Sequence, residues 1–222
     1  MFYKLNIRPM LTQFIEIPIA KIMHKCGLQP NHITMASLVL CIFSSYMIIS
    51  NNFIVAGLIF FFGSCLDLFD GTLSRLTQTS SEFGALLDSI GDRVGESFIL
   101  SAIIILPIVN SIPNEFLLNN PISYLSIDNQ IHMSLVPLGL IGLIASQLVS
   151  YTRARGESLG VRTESGIMSR AERVILLSIG LVTGYIWVST ALVAIFSTIT
   201  LFQRIYLISI RVSTVVNTDT RE

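Results

Sequence analysis

Four aspartates in the middle of the chain are the residues whose type and spacing best fit a chemical role. Asp67 and Asp70 are three positions apart, and Asp88 and Asp92 are four apart, beside strongly apolar sequence. On a helix, either spacing places both carboxylates on one face. Six of the fourteen acidic residues fall between Asp67 and Glu96. Charged groups at the edge of membrane helices are costly, so these acids need a partner or a function.

Divalent cations would relieve the repulsion among four converging carboxylates, and all-oxygen ligands favour Mg²⁺ or Mn²⁺ over zinc. Gly71, Gly84 and Gly91 allow a ligand or another helix to approach the backbone closely. Arg75 offers a planar guanidinium to a phosphate. The alternative is that the acids only pair with Arg75 and Arg93 at a helix–water boundary. Four acids at this spacing, with glycines between them, favour the metal site.

The composition places most of the chain in a lipid bilayer. Of 222 residues, 52% are hydrophobic and 13% are charged, whereas an average soluble domain has about 25% charged residues. Mean hydropathy is +0.71, and fourteen basic residues balance fourteen acidic ones. These values argue against a soluble globular enzyme, a disordered chain and a nucleic-acid-binding protein. The three cysteines show neither a disulfide framework nor metal-ligand spacing.

The apolar runs predict an all-α integral membrane protein with six transmembrane helices, preceded by an amphipathic juxtamembrane helix. A spanning helix takes about 20 apolar residues. The last apolar region, 174–212, is about twice that length and should break near Gly184 to Ser189. Residues 109–130 contain two prolines and five asparagines and are predicted as a loop. Asn31 is a candidate N-cap of the first span. The first four predicted spans are 33–50, 53–66 with a helical continuation to 75, 83–107 and 131–151, and the region 174–212 supplies the last two.

Three regions are predicted: an interfacial segment at 1–30, a six-helix membrane domain at 31–213 and a cytoplasmic tail at 214–222. With six spans and the N-terminus inside, all fourteen lysines and arginines fall on inside segments. Basic residues favour the cytoplasmic side of a membrane. We therefore expect a multi-pass protein of the cell membrane, with both termini and the aspartates facing the cytoplasm.

The aspartate-rich segment resembles the signature of CDP-alcohol phosphatidyltransferases, D-x2-D-G-x2-A-R-x8-G-x3-D-x3-D. Every spacing fits, and Ser74 in place of the usual alanine is the one departure. The predicted six spans and surface helix also resemble that family. The matching residues are Asp67, Asp70, Gly71, Arg75, Gly84, Asp88 and Asp92.

The resemblance implies a transferase of phospholipid biosynthesis that moves the phosphatidyl group of a CDP-diacylglycerol-like donor to an alcohol and releases CMP. It also implies two bound divalent ions, Mg²⁺ or alternatively Mn²⁺, and a general base, Asp92. The implied metal ligands are Asp67, Asp70, Asp88 and Asp92. The implied CDP-lipid contacts are Asn31, His32, Ile33, Thr34, Asp67, Asp70, Gly71, Arg75 and Ser81.

A second polar stretch, 150–173, bears on the acceptor. It resembles the pattern S-Y-x-[KR]-A-R-A-E…G…G-x3-R-x-E-R of the prokaryotic phosphatidylinositol phosphate synthase branch, with Gly156 replacing the usual alanine. The resemblance implies a basic pocket for a phosphorylated polyol, and favours inositol phosphate. Orientation signals or contacts to anionic headgroups are the alternative for single arginines. The implied pocket residues are Arg153, Arg155, Arg170 and Arg173.

Several alternatives remain open. Phosphatidylglycerophosphate synthesis from glycerol 3-phosphate is the enzymatic one. A divalent-cation transporter belongs to another class, and it would not require Arg75 beside the acids. The donor lipid is either a diacylglycerol ester or an archaeal ether. Gly139 and Gly142 would allow close helix contacts, including those of a homodimer, which the resemblance also implies. Glu96 either supports the metal site or pairs with Arg93.

Overall fold

The computed structural model describes residues 16–25, 27–77, 81–111, 129–161 and 166–219. Every regular element within these ranges is a helix, which confirms the prediction of an all-α protein. The helices are α1 (Ile17–Lys25), α2 (Pro30–Ile49), α3 (Phe53–Thr77), α4 (Glu82–Ser111), α5 (Asn129–Ser158), α6 (Arg170–Thr183) and α7 (Ile186–Asp219).

Four of these helices are long and apolar enough to cross a membrane. The qualifying segments are Pro30–Ile49, Phe53–Thr77, Ser134–Ser158 and Ile186–Arg211. Helix α4 is not among these four segments. Helix α6 has 14 residues, which gives a length of about 21 Å against a hydrocarbon layer of about 30 Å. The described residues thus support a membrane protein with four candidate spans, and the count of six stays a prediction.

Local sequence explains where the helices of the site begin. Helix α2 starts at Pro30 after the N-cap Gln29, because proline fits the first helical turn, where its missing N–H costs nothing. The start therefore lies before Asn31, the expected N-cap. Helix α6 follows the N-cap Ser169, whose backbone N–H donates to the Glu172 carboxylate at 2.7 Å. This capping box fixes the direction in which α6 leaves the preceding loop.

The predicted break in the last apolar region is confirmed. Helix α6 ends before Gly184, which has a left-handed backbone with φ of 80°, a conformation that glycine adopts without strain. Helix α7 begins two residues later, at Ile186. Helix α4 passes through Pro107 and ends at Ser111, so it extends into the predicted loop. The remainder of that loop, 112–128, lies outside the described residues.

One apolar core joins α2 to α7. Helix α2 packs against α3 and α4, α5 packs against α4 and α7, and α6 packs between α3 and α7. Gly139 on α5 lies against Ile104, and Gly142 lies against Val193 and Ala194. Both glycines therefore serve helix packing within one chain.

The bundle has two chemically different ends. Asn51 and Asn110 exchange amide hydrogen bonds of 3.2 Å at one end. Trp187 donates a 2.6 Å hydrogen bond to Ser134 at the same end. The aspartates lie at the other end, where α3 ends and α4 begins. Helix α1 packs on α3 there, and its Ala20 is buried. The predicted juxtamembrane helix is thus a helix over 17–25, and its earlier part lies outside the described residues.

Candidate active site

Three of the four predicted metal ligands converge. One carboxylate oxygen from each of Asp67, Asp70 and Asp88 lies within 4.8 Å of the others. Asp67 and Asp70 are buried on α3, and Asp88 is half-buried on α4. Carboxylates at this separation repel one another unless a cation lies between them. An all-oxygen donor set of this kind fits a hard divalent cation such as Mg²⁺ or Mn²⁺.

Thr34 connects α2 to this cluster. Its hydroxyl donates a buried 2.6 Å hydrogen bond to Asp70 Oδ2. Its methyl group faces Gly91 on α4, where a Cβ would lie only 3.3 Å from Thr34 Cγ2. Gly91 therefore lets α2 approach α4 closely, and that approach brings the Thr34 hydroxyl to the carboxylate.

A second glycine on α4 brings two predicted nucleotide contacts together. A Cβ at Gly84 would lie 3.1 Å from Ser81 Oγ and 3.4 Å from Asn31 Oδ1. Ser81 Oγ also accepts a 3.0 Å hydrogen bond from the Gly84 backbone N–H and so caps α4. Asn31 from α2 and Ser81 from the α3–α4 link thus meet beside the start of α4.

Asp92 is not part of that converging group, and it contacts an arginine that Asp67 also contacts. Its Oδ1 lies 2.6 Å from Arg170 Nη2, and Arg170 Nη1 donates a 2.6 Å hydrogen bond to Asp67 Oδ2. Arg170 is the first residue of α6. One guanidinium from the predicted acceptor pocket therefore bridges two predicted metal ligands, on α3 and α4. The sequence assigned these three residues to the site but did not show that they touch.

The structure pairs Arg173 with Glu96. Arg173 Nε donates to Glu96 Oε1 at 2.5 Å, and Nη2 donates to Oε2 at 2.9 Å. Both side chains are buried, at 1% and 4% exposure. This partner is neither of the two expected for Glu96. The available sequence signal was spacing, because Glu96 lies one turn after Asp92 and Arg173 lies one turn after Arg170.

The other two predicted acceptor arginines lie at the end of α5. Arg153 and Arg155 are exposed, and Arg153 pairs with Glu157 at 3.0 Å. Among the described residues, the ion pairs of Asp67 and Asp92 are with Arg170 and not with these two arginines. Arg204 on α7 is a buried arginine that sequence analysis treated only as an orientation signal. Its Nη1 donates a 2.8 Å hydrogen bond to the Val149 carbonyl, and Arg153 lies within electrostatic range.

Arg75 belongs to a chain of hydrogen bonds that ends at Glu16, the residue before α1. Its Nη2 donates a 2.9 Å hydrogen bond to Thr72 Oγ1, and that hydroxyl donates a 2.8 Å hydrogen bond to Glu16 Oε2. Thr72 is buried, whereas Arg75 is exposed. The guanidinium of Arg75 is thus held by Thr72, and its exposed side is open to a ligand at the C-terminal end of α3.

The remaining residues predicted to contact the CDP-lipid occupy either open or buried positions. A Cβ at Gly71 would meet no heavy atom within 4 Å, so neighbouring protein atoms do not require glycine there. His32 is exposed at the start of α2. Ile33 is buried against Ala20 and Leu73, so its side chain packs within the protein.

Comparison with known proteins decides the family. The sequence matches the CDP-alcohol phosphatidyltransferase family over residues 28–216. The chain belongs to the CDP-alcohol phosphatidyltransferase family. This confirms the resemblance that the aspartate spacing indicated, and it makes the protein an enzyme of that class.

Relatives of this phosphatidyltransferase include inositol phosphate enzymes. It is 33% identical over 202 residues to an archaetidylinositol phosphate synthase from Pyrococcus horikoshii, covering 90% of this chain and 94% of the relative. It is 29% identical over 171 residues to a phosphatidylinositol phosphate synthase from Corynebacterium glutamicum, covering 77% and 70%.

Solved structures show the same fold. A crystal structure of Mycobacterium tuberculosis phosphatidylinositol phosphate synthase with CDP-DAG bound has a TM-score of 0.70 and 24% identity, covering 87% of this chain and 93% of that one. The same enzyme in complex with manganese and citrate also has a TM-score of 0.70 and 24% identity, covering 87% and 88%. This phosphatidyltransferase therefore has the helical fold of those enzymes.

Proposed function

We propose that this phosphatidyltransferase joins the lipid phosphate of a CDP-linked lipid to inositol phosphate and releases CMP. The observation that carries the proposal is the contact of Arg170 with both Asp67 and Asp92 at 2.6 Å. It places an arginine suited to a phosphorylated acceptor beside carboxylates suited to metal ions. The relatives from Pyrococcus horikoshii and Corynebacterium glutamicum are both named as inositol phosphate synthases.

Asp67, Asp70, Asp88 and Asp92 would hold two divalent ions, with Mg²⁺ preferred and Mn²⁺ accepted. The converging oxygens of the first three support this set, and Asp92 lies close to it because its carboxylate and that of Asp67 contact the same guanidinium. When bound, the ions would offset the charge of the pyrophosphate and stabilise the departing CMP.

The proposed reaction is a displacement at the lipid-bearing phosphorus. Asp92 accepts the proton of the attacking acceptor hydroxyl, as a positioned carboxylate can. The hydroxyl oxygen bonds to the phosphorus, the bond from that phosphorus to the CMP oxygen breaks, and CMP leaves with the electron pair. Arg170 would hold the acceptor's own phosphate, which keeps the hydroxyl near Asp92.

The CDP-lipid is proposed to lie over the end of α3 and the starts of α2 and α4. The meeting of Asn31 and Ser81 beside Gly84 supports this position, and so does the open space above Gly71. A glycine inside a helix is less favourable than alanine by about 0.5–1 kcal/mol, so its presence here fits close approach of a substrate. The proposed contacts are Asn31, His32, Ile33, Thr34, Asp67, Asp70, Gly71, Arg75 and Ser81.

The acceptor phosphate is proposed to bind among Arg153, Arg155, Arg170 and Arg173. Arg170 has the strongest structural support because it already contacts the aspartates. In Arg173 only Nη1 lacks a hydrogen-bond partner, so direct contact with a phosphate would come from that nitrogen. Arg153 and Arg155 would approach from the exposed end of α5.

We also propose that α2 to α7 form six spans, with the site and both termini facing the cytoplasm of a cell-membrane protein. Successive helices alternate between the two ends of the bundle, and the basic residues within the described parts of these helices lie towards the aspartate end. Because positive residues favour the cytoplasmic side, this distribution supports the orientation. A homodimer is proposed from family membership, and chemical cross-linking in native membranes tests it.

Purified protein given a CDP-linked lipid and one labelled acceptor at a time tests the function. We expect CMP release with inositol phosphate and a divalent cation, and none with free inositol. Product formation with glycerol 3-phosphate instead would overturn the proposed acceptor. Parallel reactions with CDP-diacylglycerol and with its archaeal ether counterpart identify the donor.

A further inference from the structure

Glu96 is a buried carboxylate to which the proposed reaction gives no task. It accepts two hydrogen bonds from Arg173, at 2.5 and 2.9 Å, and the two side chains are 4% and 1% exposed. Paired contacts between a planar guanidinium and a carboxylate fix relative orientation as well as distance. Burial of both charges offsets much of their attraction, so such a pair is a weak source of stability. Its value has to be sought in what it orients.

The Glu96–Arg173 pair lies one helical turn further from the exposed end of the site than the Asp92–Arg170 pair. The two are called the lower pair and the upper pair. On α4, Glu96 follows Asp92 by one turn, and on α6, Arg173 follows Arg170 by about one turn. The upper pair is partly open, with side-chain exposures of 31% for Arg170 and 21% for Asp92. The lower pair is sealed. A ligand that reaches the site therefore meets the upper pair first, and in the lower pair only Arg173 Nη1 is without a hydrogen-bond partner to offer it.

Long side chains make the ionic link between helices α4 and α6 at the site. The two helices are not among the closely packed helix pairs of the described residues, although both contribute to the apolar core. In the described part of the chain, the ion pairs that join α4 and α6 are Arg170–Asp92 and Arg173–Glu96. When substrate or metal draws Arg170 away from Asp92, the lower pair is the ionic link that remains.

We infer that Glu96 is a positioning residue, which acts through Arg173 to hold α6 where Arg170 stays beside Asp92 and Asp67. The inference rests on the proposed function, because Arg170 is there the residue that holds the acceptor phosphate. Without the Glu96 carboxylate, the Arg173 guanidinium loses the acceptor of both of these hydrogen bonds and lies one turn from the Asp92 carboxylate. Both changes disturb the acceptor half of the site and leave the donor half on α2 and α3 in place.

The test is the KM for each substrate in Glu96→Gln, measured as CMP release with inositol phosphate and CDP-diacylglycerol or the donor that wild type prefers. We expect the acceptor KM to rise about 10- to 100-fold, since small misplacement of a positioning group costs this much, and the donor KM to stay unchanged. Glu96→Asp keeps the charge on a shorter side chain and should recover most of the acceptor KM. Asn110→Ala is the control, because it removes a polar contact at the far end of α4.

A purely structural role gives a different result. In that case Glu96→Gln lowers the yield of folded protein, as Asn110→Ala also can, and the folded fraction keeps the wild-type acceptor KM. That outcome, or an equal rise in both KM values, overturns the inference. If Glu96→Gln does not fold, Glu96→Asp decides by the same criterion, with a small selective rise in acceptor KM expected. Wild type that transfers nothing to inositol phosphate refutes the proposed function itself, and the inference falls with it.

Discussion

Arg170 Nη1 lies 2.6 Å from Asp67 Oδ2, although 103 positions separate the two residues. The same guanidinium lies 2.6 Å from Asp92. In this arrangement Arg170 supplies the positive charge that the buried carboxylates require. It occupies the contact that a divalent cation would make with Asp67 and Asp92, so arginine and metal are expected to compete for these oxygens.

The first prediction concerns this competition. We expect Arg170→Gln to bind Mn²⁺ about tenfold more tightly than wild type in the absence of substrate, equivalent to about 1.4 kcal/mol. The cause is loss of a guanidinium that neutralises two of the ligands. Mn²⁺ titration followed by electron paramagnetic resonance measures the affinity. Lys25→Gln removes an exposed positive charge from α1 at the same end of the bundle and should leave the affinity unchanged. Weaker Mn²⁺ binding in Arg170→Gln would show that the arginine assists the metal.

The second prediction concerns the proposed base. At saturating Mn²⁺, Asp92→Asn should lower the single-turnover rate of CMP release by about 10²- to 10⁴-fold, the usual contribution of a positioned proton acceptor. The amide keeps the volume of the side chain, so we expect the variant to fold and to retain donor binding. A near-wild-type rate in a metal-saturated variant would assign proton removal to another group.

The third prediction concerns the hydroxyl that links α2 to the cluster. Thr34→Val keeps the shape against Gly91 and removes the 2.6 Å hydrogen bond to Asp70. The free energy of unfolding should fall by about 1–3 kcal/mol because a buried carboxylate loses a donor. Thermal or denaturant unfolding in detergent measures it. Thr34→Ser keeps the hydroxyl and should be closer to wild type. Equal destabilisation by both variants would mean that the methyl contact matters more than the hydrogen bond.

The fourth prediction separates two glycines. Gly71→Ala should fold at least as stably as wild type, because a Cβ there meets nothing within 4 Å and alanine favours the helix by about 0.5–1 kcal/mol. Its KM for CDP-lipid should nevertheless rise, since the added methyl group enters the proposed donor site. Gly180→Ala is the matched contrast: a Cβ there would collide with Ser189 of α7, so stability should fall by about 1–3 kcal/mol. Unchanged donor KM in Gly71→Ala would remove Gly71 from the donor site.

The predictable part of this protein is local in sequence. The spacing of Asp67 and Asp70 was sufficient to place both carboxylates on one face of a helix. The excessive length of the last apolar region predicted the break that the structure shows at Gly184. These features depend on helix periodicity and bilayer thickness, which a single segment reveals without knowledge of its neighbours.

The unpredicted part depends on contacts between distant segments. Glu96 pairs with Arg173 across 77 positions, and no periodicity within α4 identifies a partner on α6. The start of α2 at Pro30 was also missed, because the local signal of Asn31 as a cap was weaker than the preference of proline for the first turn. Ile33 was predicted to contact the nucleotide as part of the segment 31–34. In the structure its side chain is buried against Ala20 of α1 and Leu73.

The long separation between the acidic and basic partners has a consequence for biogenesis. Ribosomes make α3 and α4, with all their carboxylates, before the arginines of α6 exist; Glu96 precedes Arg173 by 77 residues. During that interval the early helices carry negative charges that no arginine from α6 can neutralise, and charged groups resist entry into hydrocarbon. We therefore expect α3 and α4 to reach their final position in the membrane only when α6 packs against the bundle. Insertion of the C-terminal half would then be the step that completes the enzyme.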